Sequence, residues 1–295
     1  MTMPTEMGST AAEGLREILT RTVGSANIAT YAELESPVPW KALVDAGWIE
    51  IADDTEDAPL TLRDLVEVAL VWGEFCLQLP YTVTLIARRH SAVAAAHGAP
   101  VTFAVPTPQT TEGWGFIPFG QVSGVGLLDS VGSSEGSVSP LPETTAQSFS
   151  PTLRGAEGPC VSAFSPTAAR EAVVVWAAES VGCARRLLAD SVAYVTERHQ
   201  FGKPIGSFQA VKHILADAHI LTEQAHTSVL WAVEDDERSH ELSLHAVELA
   251  IRVAEKAIQV HGGMGFTWEM GLHYYLRHLV ALRDVVLGLG AGEAR

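Results

Sequence analysis

A mainly helical protein with a small β insert is the fold class this sequence predicts, and three features of its texture predict it. Apolar residues recur every three to four positions through residues 1–98, the spacing of amphipathic helices. Residues 99–160 turn to Gly, Pro, Ser, Thr and Val in short alternating runs, the composition of strands and turns. From 161 to 295 the helical spacing returns in four long segments with short connections, the pattern of an antiparallel four-helix bundle.

Each element has its own warrant. GLREILTRTV repeats its apolar residues at helical spacing, and PWKALVDAGWIEI begins a helix after Pro39 with Gly47 as a C-cap. LTLRDLVEVALVWGEFCLQL predicts one long apolar helix closed by Pro80, and TVTLIARRHSAVAAAHG a second ending at Gly98. PVTFAVPTP and GWGFIPFGQVSGVGLLDSV predict strands of a small sheet, too short a segment for a full barrel. SSEGSVSPLPETTAQS is expected as a loop. The first bundle helix opens with Ser165 as N-cap and Pro166 at its first position. In the second, Phe208, Val211, Leu215 and Ala218 share a face, and the third ends on Gly262 and Gly263. Trp176 and Trp231 are expected in the core, and His219 and His226 in solvent.

Composition narrows the function classes. With 47% apolar residues the chain is globular, yet no apolar run reaches the ~18 residues of a membrane span. The N-terminus, MTMPTEMGST, lacks a basic region followed by an apolar core, so no secretory signal and a cytoplasmic location are expected. A formal charge of −16 argues against nucleic acid as partner, because phosphate neutralisation needs a positive face. Cys76, Cys160 and Cys183 stand too far apart for a disulfide framework or a zinc motif, and Cys183 is expected as a buried small hydrophobe. The histidines form no local ligand pair with a carboxylate, so no metal is expected.

Two stretches carry more. ERHQFGKPIGSFQAVKHILAD (residues 197–217) is a basic, aromatic patch in an acidic protein, and AIQVHGGMGFTWE (residues 257–269) follows in the bundle. In this order and separation they closely resemble the paired signatures of acyl-CoA dehydrogenases, flavoenzymes that oxidise acyl-CoA thioesters to 2-enoyl-CoA. The resemblance covers essentially the whole chain and is densest from about residue 165 onward. It implies a helical N-terminal domain, a middle β domain and a bundle that serves as a dimerisation platform. It also implies FAD, whose adenosine diphosphate end the two motifs grip while a neighbouring subunit binds most of the cofactor. Carried over, Arg198 pairs with the pyrophosphate, Phe201 packs against the dinucleotide and Gln209 hydrogen-bonds near it. Gln259, Gly262 and Gly263 form the second wall. The residue types suit these roles: arginine offers phosphate a planar fork, and glycine has no Cβ to keep a ligand from the backbone.

The sequence also departs from the family. The β segment is short, and the flavin-facing Thr-Glu-Pro and Trp-Ile-Thr segments have no counterpart between residues 100 and 158. Where most members carry the catalytic glutamate in Tyr-Glu-Gly-Thr, this chain reads VVLGLGAGEAR, with Glu293 two residues late, and it stops at Arg295 before the family's last helix is complete. Other members place the base early in the first bundle helix, a position that falls on Ala172; Glu171, immediately before it, is the candidate if the register slips. Glu179, in an apolar run, is either a base raised by burial or, more simply, the ion-pair partner of an arginine such as Arg186. Glu269 has the look of a structural residue. Together these departures resemble one half of the actinobacterial α2β2 heterotetramers that act on CoA thioesters of steroid side chains. That implies a longer homologous subunit as partner, a bulky acyl-CoA as substrate and an electron-transfer acceptor. A non-catalytic structural subunit is the alternative, and a self-sufficient homotetramer a third.

Overall fold

The computed structural model describes residues 2–24, 26–53, 60–106, 114–132, 136–141, 149–159 and 163–290. Helix α1 (Glu6–Val23) opens at Thr5, whose hydroxyl accepts from the Gly8 N–H, and α2 (Trp40–Asp45) follows Pro39. Helix α3 (Leu62–Phe75) starts from a reciprocal capping box of Thr61 and Asp64. It stops at Phe75, short of the expected end at Pro80, because Cys76 turns left-handed with φ 46°. The next expected helix is two: α4 (Tyr81–His90) breaks at extended Ser91, whose hydroxyl caps α5 (Ala92–Ala95) by accepting from the Ala94 N–H.

The middle segment contains β1 (Val101–Phe103), β2 (Trp114–Ile117), β3 (Gly126–Leu128), β4 (Ser130–Val131), β5 (Val138–Pro140), β6 (Ala156–Pro159) and β7 (Ala163–Phe164). Among the described residues these make three small sheets: β1–β3–β5, with β1 parallel and β5 antiparallel to β3, antiparallel β2–β6, and parallel β4–β7. The described strands are two to four residues long and punctuated by Gly and Pro. Strand β5 lies inside the stretch expected as a loop, and β7 lies beyond residue 160.

The bundle is α6 (Pro166–Glu197), α7 (Gln209–Glu234), α8 (Ser239–His261) and α9 (Leu272–Gly290). Helix α6, 32 residues and so about 48 Å long, is central and packs against α3, α7, α8 and α9. Its contact with α3 is backbone on backbone: a Cβ on Gly182 would lie 2.1 Å from the Leu70 carbonyl oxygen, and one on Gly73 1.9 Å from that of Glu179. Residues of all three segments share one core, in which Phe103 meets Trp176 at 5.8 Å. Trp176 is buried as expected, whereas Trp231 is 52% exposed. The buried stripe of α7 runs through Ala218, Leu221, Ala225, Val229 and Ala232, and Trp231, one residue and ~100° off it, faces out. His226 is half-buried rather than solvated, and burial lowers its pKa.

Candidate functional site

The 197–217 stretch leaves α6 through Arg198, whose N–H still bonds the Tyr194 carbonyl at 2.9 Å. A two-residue hairpin follows, β8 (His199–Gln200) against β9 (Lys203–Pro204), held at its base by Ile205 N–H to Arg198 O at 2.8 Å. Its loop residues, Phe201 and Gly202, both have positive φ (55° and 82°), as a tight hairpin turn with native twist requires. Glycine adopts this freely, but for phenylalanine it costs roughly 1–2 kcal/mol. Phe201 is also 92% exposed. Phe201 thus presents a strained aromatic ring to water. Behind it, Phe208 meets Phe201 edge-on at 6.1 Å and carries the Lys203 ammonium 4.3 Å above its ring. Helix α7 begins at Gln209 with no side-chain cap, leaving its first N–H groups to other acceptors.

The second stretch comes to the same end of the bundle. Helices α6 and α8 run side by side in the same direction, and at their C-termini His261 stacks on Tyr194, ring centres 4.1 Å apart. Gly262 ends α8 with φ 61°, and a Cβ on Gly262 or Gly263 would meet nothing within 4 Å. The structure therefore brings Arg198, Phe201, Gln209, Gln259, Gly262 and Gly263 to one end of the bundle, all exposed. Among the described residues no carboxylate pairs with Arg198. Glu269 is exposed, and its carbonyl accepts from the Asn27 amide at 3.2 Å.

The carboxylates expected as bases lie elsewhere. Glu171 is buried, accepting from Arg89 Nε at 2.6 Å and meeting His90 Nε2 at 2.9 Å, so it ties α6 to the end of α4. Burial alone would raise its pKa; the hydrogen bonds from His90 and Arg89 and the arginine's charge outweigh burial and hold the carboxyl below the usual range. That geometry does not favour the base role. Glu293 and Cys160 lie outside the described residues.

Glu179 does not pair with Arg186, which takes Asp190 at 2.8 Å instead. It is buried, accepts from the Thr82 hydroxyl at 2.7 Å and bonds His278 Nε2 at 2.9 Å; His278 Nδ1 in turn meets the Thr152 hydroxyl at 2.8 Å. Beside this chain lie Cys76 and Cys183. Burial would raise the Cys76 thiol, but Cys183 and His278 outweigh it and bring the group down to about 6. Burial would lower His278, and Cys76 and Glu179 raise it to about 10. Sequence reasoning missed this cluster.

Residues 168–284 match the family model of the acyl-CoA dehydrogenase C-terminal domain. Over those residues the bundle is similar to an acyl-CoA dehydrogenase C-terminal domain. The similarity extends to named relatives. Acyl-CoA dehydrogenase FadE34 of Mycobacterium tuberculosis is 41% identical over 128 residues, 40% of this chain and 18% of that protein. Acyl-CoA dehydrogenase IpdE2 of the same organism is 39% identical over 114 residues, 38% of this chain and 36% of its own length. The chain thus matches well under half the length of these curated relatives. In three dimensions the likeness covers everything described. A steroid ACAD, Tcur3481-Tcur3483 (G363A variant), superposes with a TM-score of 0.74 over 98% of this chain and 96% of its own, at 19% identity. The ChsE4-ChsE5 complex of Mycobacterium tuberculosis does so at 0.74 over 100% and 97%, at 18% identity. At such identities the shared property is the acyl-CoA dehydrogenase fold, here with short sheets among the described residues of its middle segment.

Proposed function

We propose that this chain is one subunit of an FAD-dependent acyl-CoA dehydrogenase that α,β-desaturates a bulky acyl-CoA together with a longer homologous partner in an α2β2 assembly. The observation that carries this reading is the exposed end of the bundle. Six residues matching the family's cofactor motifs gather there, with bare backbone at Gly262 and Gly263. They fit the adenosine diphosphate end of FAD. The Arg198 fork would take pyrophosphate oxygens, Phe201 would lie against the dinucleotide, Gln209 would hydrogen-bond beside it, and the glycines would let it approach the main chain. FAD, when bound, would supply the hydride acceptor for the β-carbon of the thioester. This chain's part is to hold one end of the cofactor, and the short β strands leave most of the rest to the partner. A steroid side-chain CoA suits such a site, and the name of one structural neighbour, a steroid ACAD, supports that substrate class. A separate electron-transfer acceptor would reoxidise the assembly. Such a protein would work in the cytoplasm, and no helix among the described residues is long and apolar enough to cross a membrane.

The locked Glu171 favours a second reading in part: the partner supplies the base, and this chain stabilises it without proton transfer of its own. Native mass spectrometry of the protein purified from its own host tests the assembly. Two copies of this chain, two of a longer homologue and two FADs are expected. A homo-oligomer with one FAD per chain would refute the shared site.

A further inference from the structure

Inside the core, remote from the exposed end of the bundle, three side chains that the cofactor reading leaves unused converge. Cys76 comes from the left-handed residue that closes α3, Cys183 from the middle of α6 and His278 from α9. Their ligand atoms all lie within 4.8 Å of one another, and all three residues are buried. We propose that Cys76, Cys183 and His278 form a closed site for a zinc-type soft dication that fastens α3, α6 and α9 together.

Several observations support the assignment. Two sulfurs and one imidazole nitrogen are a donor set that selects zinc over hard cations. Tetrahedral coordination at a metal–sulfur distance of ~2.3 Å puts two sulfurs ~3.8 Å apart, so atoms already within 4.8 Å need close by only about 1 Å. The imidazole is oriented by a carboxylate, Glu179 Oε1 at 2.9 Å from Nε2, and that carboxylate is itself held by Thr82 at 2.7 Å. This carboxylate–histidine relay is the usual support of a metal-bound imidazole, and it leaves Nδ1 with its lone pair. Thr152, now 2.8 Å from Nδ1, keeps Ser150 as its partner at 2.9 Å when a cation takes that lone pair, or supplies the fourth ligand itself. The frame is rigid: α3 and α6 touch backbone to backbone at Gly73 and Gly182, and the Cys183 thiol lies 3.1 Å from the Gly73 carbonyl. Complete burial also argues against a nucleophilic role for the same thiols, since no substrate reaches them, while it suits a closed structural centre.

The test uses the full chain, purified under reducing conditions with whatever subunit accompanies it. Metal analysis should find one zinc per chain. After chelation and reloading with Co²⁺ alone, thiolate-to-cobalt charge-transfer absorption and the intense visible bands of a tetrahedral site should appear at one equivalent. Cys183→Ala and His278→Ala should abolish both, and chelator should lower the melting temperature of the wild type only. If the variants fail to fold, the wild-type cobalt spectrum still decides. Substoichiometric metal in the fully reduced protein, weak octahedral cobalt bands, or a Cys76–Cys183 disulfide in the protein as isolated would overturn the proposal. None of these readouts depends on flavin or turnover.

Discussion

Replacing Glu171 by Gln separates its two roles. The side chain keeps its shape and loses its charge, while Arg89 and His90, 17% and 13% exposed, stay where they are. Breaking a fully buried pair costs ~3–5 kcal/mol. Arg89 retains a second partner, the Leu60 carbonyl at 2.7 Å, and some water, so about 2–3 kcal/mol is the appropriate loss. At this size each kcal/mol moves the melting temperature by roughly 2 °C, so a fall of about 4–6 °C is expected at pH 7. The folded pKa lies below the unfolded one, so the contribution is fully present above the unfolded value of ~4.3 and is lost as pH falls through the folded one. The gap between wild type and variant should therefore close in acid. Turnover per assembled complex should be unchanged. Scanning fluorimetry across pH and a steady-state assay measure both. An unshifted melting temperature together with a rate loss of ~10³-fold, the range a positioned base contributes, would refute the structural role and restore Glu171 as base.

Arg198→Ala removes an exposed guanidinium with no ion-pair partner among the described residues. It should leave the melting temperature of the flavin-free protein unchanged while weakening flavin retention ~10–100-fold, the worth of a charge-assisted hydrogen bond; equilibrium dialysis of the complex measures it. Gly182→Ala places a Cβ 2.1 Å from the Leu70 carbonyl and should cost ~3 kcal/mol or more in denaturant unfolding, because neither backbone yields without parting the helices. Phe201→Asn relaxes the left-handed loop position and should raise the melting temperature by ~1–2 °C while reducing flavin retention. A lowered melting temperature would mean that the exposed ring supports the fold.

What the sequence reveals depends on how local the cause is. Helices were legible because their apolar period is local, and Ser165 and Pro166 mark the start of α6 where the structure has it. Their ends were less so: α3 stops where Cys76 turns left-handed, four residues before Pro80. The texture of the β segment was visible, but its division into three small sheets depends on pairings such as Val101 with Gly126 and Trp114 with Pro159, which no short window contains. The cofactor motifs were readable because each is contiguous; that they meet at one end of the bundle follows from α6 and α8 running in the same direction. The buried cluster was invisible. Its members stand 107 and 95 positions apart (183 − 76 and 278 − 183), and each occupies a place that reads as core. The pairing of Glu179 with Arg186 failed for a related reason, since Asp190 at i+4 takes that arginine and Glu179 turns to α4 and α9.

Helix α6 separates the buried ties of the core from the exposed end of the bundle. Glu171, Glu179 and Cys183 along its length are buried ties to α4, α3 and α9, whereas Arg198 beyond its end is exposed. At 1.5 Å per residue, the 15 positions from Cys183 to Arg198 span about 22 Å, beyond the range at which side chains couple directly. None of the six cofactor-motif residues contributes to the core, and the core does not need a ligand to close over them. That separation makes the proposed half-site physically tenable: the shared core closes without these six residues, and a partner would meet an arginine, a strained phenylalanine and bare glycine backbone already in place.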